Sequence, residues 1–187
     1  MRRLLIRPGA IGDCILSLPA LEHLKADYTE VWIPSPVVPL ITFADTVRPL
    51  ASTGIDLAGV GDLGIPAQLK ATLKSFDSIV SWYGAKRSEF RETILGLGVP
   101  CDFHSALPPE GYGGHATDFF AQQVGAPGGL IPRIDIRASS PRDAIVIHPF
   151  SGGRKKNWPL GLYRELASRL QSEVEWIAGP EEELASA

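Results

Sequence analysis

At 187 residues, 44% hydrophobic and 21% charged, the chain is suited to a soluble globular protein able to bury a core, as one large domain or as one domain and part of another. Its formal charge of −3 gives no support for nucleic-acid binding, and its one dense basic cluster, Arg154-Lys155-Lys156, lies in a glycine-bearing loop rather than along a face. Cys14 and Cys101 make neither a disulfide framework nor a metal set; they suit a reducing compartment, each as a small core residue.

The start, MRRLLI, has the basic opening and apolar run of a signal peptide. Arg7 and Asp13 interrupt that run before it reaches the length required, and no small-residue cleavage site follows. Nowhere do 18 apolar residues stand uninterrupted, so no transmembrane segment is expected. A cytoplasmic protein is expected, with contact to a membrane surface left open.

Residues 2–7 (RRLLIR) predict a strand, and 13–25 an amphipathic helix carrying Ile15, Leu16, Leu18, Leu21 and Leu24, bent by Pro19. TEVWIP predicts a second strand, SPVVPLITFA a short proline-started helix, and DLAGV a weak strand. PAQLKATLKSF predicts a helix with Pro66 at its start, DSIVSWYG a strand, and RSEFRETILGLG a helix closed by Gly96 or Gly98. CDFHSAL predicts a strand and HATDFFAQQVGAP a helix with Gly125 past its end. This alternation indicates βαβ units and a parallel sheet covered on both faces.

GGLIPRIDIRASSPRD then breaks the rhythm, and a linker is expected over about 128–142 between a first domain, 1–138, and a second, 143–187. In the second, AIVIHP predicts a strand, LGLYRELASRLQ a helix with Leu162, Leu166 and Leu170 on one face, EVEWIAG a strand, and PEEELASA the first turns of a helix. Two strands and one and a half helices cannot bury both faces of a parallel sheet, so the second domain is expected to be incomplete.

Two loops of the same build carry the chemistry. In IRPGAIGDCILSLPAL, Gly9 and Gly12 leave backbone N–H groups free ahead of a helix, and Asp13 falls in its first turn. An acid there either caps the helix and complements its dipole, or serves as a general base at the carboxyl end of a strand, where open α/β sheets bind ligands. The loop has G-x-x-G and not G-x-G-x-x-G, which argues against NAD. In IHPFSGGRKKNWP, Ser151, Gly152 and Gly153 offer hydroxyl and backbone donors, and Lys155 and Lys156 positive charge. This is either a diphosphate site or a solvated basic turn; it is not a Walker loop.

RPGAIGDCILSLPAL resembles the opening of the ADP-heptose:lipopolysaccharide heptosyltransferases, glycosyltransferase family 9, whose strand runs into x-x-G-x-x-G-D and a helix ending near P-A-L. IHPFSGGRKKNWPLGLYRELASRL is similar to the family's second signature, I-H-P followed by K-x-W-P and an amphipathic helix. WIAGPEEE is similar to its G-x-x-E-E segment, and GGHATDFFAQQVGAP to the helix closing its first domain. The resemblance implies an α/β protein of GT-B type: a Rossmann-like parallel-sheet domain on the acceptor side, then the beginning of a second Rossmann-like domain for the nucleotide sugar. It implies inverting transfer without a metal or resident cofactor, from ADP-heptose or a similar nucleotide sugar, to a lipopolysaccharide-core or related glycolipid acceptor at the inner membrane surface.

Carried over by this resemblance, Asp13 is the base and Gly9 and Gly12 lie on the acceptor side. Ser151, Gly152 and Lys156 hold the diphosphate, Glu182 or its neighbour Glu181 reaches the ribose, and Arg87 stands near the acceptor's phosphate. The family's later D-[ST]-G-x-x-H segment is absent, so the 187-residue chain alone is expected to be inactive. The alternatives are a non-catalytic fragment binding a glycolipid or a protein partner, and a GT-B transferase of another nucleotide sugar.

Overall fold

The computed structural model describes residues 1–60, 64–135, 143–151, 153–179 and 182. The chain divides into two compact units, Met1–Asp135 and Ile136–Ala187. In the first, β1 (Arg2–Ile6) leads through α1 (Ile11–Leu16) and α2 (Leu18–His23) to β2 (Tyr28–Ile33) and β3 (Thr46–Pro49). Then come α3 (Ala67–Leu73), β4 (Ser78–Ser81), α4 (Ser88–Leu95), β5 (Cys101–Phe103) and α5 (Ala116–Gln123). The five strands are all parallel, in the order β3-β2-β1-β4-β5.

β1 is central, so both its faces must be covered, and its side chains alternate accordingly. Leu4 and Ile6 pack with Trp32, Leu73, Ile79, Phe90 and Ile94 on the face of α3 and α4. Leu5 packs with Cys14, Leu18, Leu21, Val80, Trp82 and Phe120 on the face of α1, α2 and α5. Cys14 is buried as expected; Cys101, at the start of edge strand β5, is only half-buried.

Three elements differ from the sequence reading. The helix expected over 13–25 starts at Ile11 and breaks at Ser17. Pro19 has no N–H to offer Ile15, and Ser17 turns both its backbone N–H (3.1 Å) and its hydroxyl (2.8 Å) to the Cys14 carbonyl. SPVVPL forms a 3₁₀ helix, Ser35–Leu40, with prolines at 36 and 39 lacking donors. DLAGV is no strand: Ile55–Leu57 is a 3₁₀ turn begun by Gly54 at φ +69°, and the third strand is Thr46–Pro49.

Residues 128–135 of the expected linker belong to the first unit. The Gly129 N–H donates to Asp118 Oδ1 (2.6 Å), and Ile134 packs against the core face of α5. Residues 136–142 lie outside the described residues.

The second unit pairs β6 (Ala144–Ile147) with β7 (Glu173–Trp176) in parallel, connected through α6 (Leu160–Arg169). Two strands offer little surface to cover. No residue of α6 is buried, and Val146 (54% exposed), Leu162 (40%) and Leu166 (43%) remain open.

Candidate active site

β1 ends at Ile6, and the next residue, Arg7, is fully buried. A buried guanidinium needs partners, and Arg7 has four. Its Nε donates to Ser17 Oγ (2.9 Å), Nη1 to the Ala106 carbonyl (3.1 Å) and Nη2 to the Asp13 carbonyl (2.9 Å), while the Phe120 ring lies 4.5 Å away. Burial lowers its pKa from the ordinary value, with Cys14 and Asp13 opposing. Arg7 thus ties the loop after β1 to the loop after β5.

Asp13 is the third residue of α1, at the carboxyl edge of the sheet, and half-buried. The helix begins at Ala10 without a side-chain cap, and no hydrogen bond to the Asp13 carboxylate exists among the described residues. Of the two bland roles, capping has no bond to rest on; the favourable dipole interaction remains. Gly9 has φ +121°, and a Cβ there would lie 3.6 Å from Asp13 Oδ2 and 3.9 Å from Arg7 Nη1. A side chain at position 9 would meet the carboxylate only at ordinary contact distance; it is the backbone conformation that favours glycine there. Gly12 is different: its backbone is helical and nothing lies within 4 Å of an added Cβ, so no contact in the protein requires glycine there.

Beside this loop lies a cavity of about 330 Å³ lined by Pro8, Trp82, Lys86, Arg87, Ser105 and Ala106, among others. These residues follow β1, β4 and β5. The chain order reverses between β1 and β4, so the cavity occupies the switch point where open α/β sheets take ligands. Among the described residues two bases and no acid line it. Its wall is fixed by Trp82 Nε1 donating to Gln123 Oε1 (2.8 Å) and Gln123 Nε2 donating to the Ser105 carbonyl (3.1 Å). The His104 ring lies tilted against Trp82 with centroids 5.4 Å apart, and burial holds its pKa below the usual 6.5 against the pull of Asp102. Arg87 donates through Nη1 to Tyr83 OH (3.4 Å) and is exposed.

In the second unit, Ser151 and Lys156 share one exposed loop. Ser151 Oγ bonds to the Gly153 carbonyl (3.1 Å) and Asn157 Oδ1 (2.7 Å), and the Lys156 N–H closes a turn to the Gly153 carbonyl (2.9 Å). Glu182 Oε2 accepts from the Gly179 N–H (2.6 Å) and lies 3.1 Å from His148 Nε2. The Gly179 bond, then His148, holds the Glu182 carboxyl below the ordinary carboxylate range. Gly152 and Glu181 lie outside the described residues.

The structure therefore gathers Gly9 and Asp13, and sets Arg87 in the neighbouring cavity. The sequence reading missed Arg7, Lys86, Trp82 and His148. Arg7 left a signal, a charge at the end of an apolar strand; the cavity residues left none, because three distant loops assemble it.

No family model matches the chain, and no curated protein matches it. Solved structures do. E. coli heptosyltransferase WaaC with ADP-2-deoxy-2-fluoro heptose superposes with a TM-score of 0.55 at 15% identity, over 97% of this chain and 70% of that one. The same enzyme with ADP gives 0.54 at 16%, over 94% and 67%. E. coli ADP-heptose LPS heptosyltransferase II gives 0.56 at 18%, over 94% of this chain and 64% of that one. No helix among the described residues is long and apolar enough to cross a membrane. The parallel-sheet α/β architecture is the GT-B type fold of these heptosyltransferases.

Proposed function

We propose that this chain belongs to an inverting, metal-independent sugar transferase of the heptosyltransferase type, with Asp13 as its general base. The observation that carries the reading is the Asp13 carboxylate: at the carboxyl edge of the sheet it has no hydrogen-bond partner among the described residues, while Arg7 holds its backbone carbonyl. The donor is ADP-heptose or a similar nucleotide sugar held by Ser151, Gly152 and Lys156, with Glu181 or Glu182 at the ribose. The acceptor is a glycolipid of the lipopolysaccharide-core kind, with Gly9, Gly12 and Arg87 on its side, and the protein works in the cytoplasm at the inner membrane surface.

In the reaction an acceptor hydroxyl gives its proton to Asp13 as its oxygen forms a bond to the anomeric carbon. The bond from that carbon to the diphosphate oxygen breaks, ADP leaves with the electron pair, and a single in-line displacement inverts the centre. Lys156 and the neighbouring backbone donors offset charge growing on the leaving diphosphate.

The test is Asp13→Asn, assayed by ADP release in the chain fused to the donor domain of one of the solved neighbours. Losing a general base costs about 10²–10⁴-fold in rate, whereas the isosteric amide should leave the melting temperature unchanged. Transfer by the Asn variant at the parent rate would overturn the base assignment. Absence of transfer in the parent would favour a binding role.

A further inference from the structure

A second cavity, of about 460 Å³, opens at the same sheet edge and differs in chemistry from the one beside Asp13. Pro34 and Ser35 follow β2, Leu50 follows β3, Ile55 and Asp56 form the 3₁₀ turn beyond it, and Tyr83 follows β4. Pro34, Ser35, Leu50 and Tyr83 lie just past strand carboxyl ends, so the cavity shares the ligand-binding edge of the sheet. Tyr83 is the divider: it packs on the α3–α4 side, while its neighbour Trp82 belongs to the opposite face and lines the basic cavity.

The lining is amphipathic. Leu50, Ile55 and Pro34 give an apolar floor, and Tyr83 is held edge-on against Phe90 at 5.3 Å. Its hydroxyl accepts from Arg87 (3.4 Å), leaving its proton free to donate. Ser35 Oγ and the Asp56 carboxylate have no hydrogen-bond or ion-pair partner among the described residues. Among the described residues no lysine or arginine lines this cavity and Asp56 is the one charged residue that does, with Arg87 reaching its rim only through the Tyr83 hydroxyl. An apolar surface with a phenol, a hydroxyl and a carboxylate on its rim suits a sugar ring, which has apolar C–H faces and a girdle of hydroxyls. The lone carboxylate disfavours an anion, and the volume falls within the range of small-molecule sites, about 300–1,000 Å³.

We propose that this cavity is a subsite for one uncharged sugar ring, holding a neutral unit of the acceptor while the basic cavity takes its charged part. The assignment rests on the transferase reading for the acceptor, but the binding is a property of the 187-residue chain and is tested there. Saturation-transfer NMR would use methyl α-D-mannopyranoside, D-glucuronate and 1-hexanol as probes. The neutral glycoside should receive saturation, and Ser35→Ala and Asp56→Ala should each weaken it by about threefold to tenfold, as expected for one lost hydrogen bond. Lys86→Ala, in the other cavity, should leave it unchanged. Glucuronate should bind less well than the glycoside at low salt, and Asp56→Ala should remove that difference. Both substituted positions are exposed, so the variants should fold. No saturation of the glycoside, equal binding by Asp56→Ala, or binding of hexanol alone would overturn the subsite, the last by making the cavity an alkyl-chain site. Sugar transfer measured separately distinguishes the two readings: binding without transfer keeps the subsite and removes the transferase, and transfer without binding does the reverse.

Discussion

Arg7 shows how much one buried side chain can organise. Its removal would leave the Ala106 and Asp13 carbonyls without their donor, each worth about 1–3 kcal/mol when buried and unpaired. Arg7→Met should therefore destabilise the chain by about 3 kcal/mol, read from the urea midpoint at unchanged slope. Arg7→Lys should recover little of it, because one ammonium cannot serve three divergent acceptors. A fully stable Met variant would show the network to be incidental. His104 makes a pH-dependent contribution. Its pKa is lowered in the folded state, so below the ordinary 6.5 the unfolded chain binds a proton that the folded chain resists. Stability should fall as pH drops through 6.5 towards the folded value, and His104→Gln should flatten that limb of the pH–stability curve. An unchanged curve would mean that burial does not disfavour the charged ring.

Helix α4 is seated between two glycines that no other residue can replace. At Gly59 (φ +70°) a Cβ would lie 2.8 Å from the Phe90 backbone nitrogen and 2.9 Å from the Glu89 carbonyl; at Gly84 (φ +69°) it would strike the Phe90 ring. Gly98 has the same backbone hand (φ +75°) but open space around it. Gly98→Ala should therefore cost only the left-handed penalty, about 1–2 kcal/mol, and Gly59→Ala distinctly more, since backbone cannot step aside. Equal midpoints in urea for the two variants would refute the close packing. Elements of this kind explain what the sequence revealed. The apolar runs of β1, β2 and β4 and the Gly-Pro punctuation between helices were legible because a doubly covered sheet needs them. Thr46–Pro49 was not: every residue in it is half-buried, and Arg48 and Pro49 remove both the alternation and the run. DLAGV misled because its large apolar residues, Leu57 and Val60, are exposed, and only Ala58 is buried, at the end of the turn that Gly54 starts. Asp13 and Gly9 stood out as a glycine break before an acid, whereas Lys86 and Ser105 acquire meaning only when the sheet brings their loops together.

The two units differ in how they are built. Among the described buried hydrophobics, all but Ile147 lie in the first unit, and Ser151 and Lys156, proposed to hold the donor, stand exposed in the second. Hydrogen bonds and charges in contact with water compete with solvent. ADP should therefore bind the 187-residue chain no tighter than about the millimolar range, near −4 kcal/mol. Isothermal calorimetry checks this, and micromolar binding would mean that the second unit buries the nucleotide far better than its exposed loop allows.

The strand order has a consequence for synthesis on the ribosome. β1 is made first but sits in the middle of the sheet, and only β2 can join it early. Its other edge, Arg3–Ile6, must wait for Ser78–Ser81. From Ile33 to Ser81 the ribosome adds 48 residues, and at about 5–20 residues per second that takes roughly 2–10 s. Throughout that interval the nascent chain presents Leu4, Leu5 and Ile6 on an open strand edge, the kind of template that recruits other chains. Translation speed between the second and fourth strands, rather than final stability, should thus govern how much of this protein emerges folded.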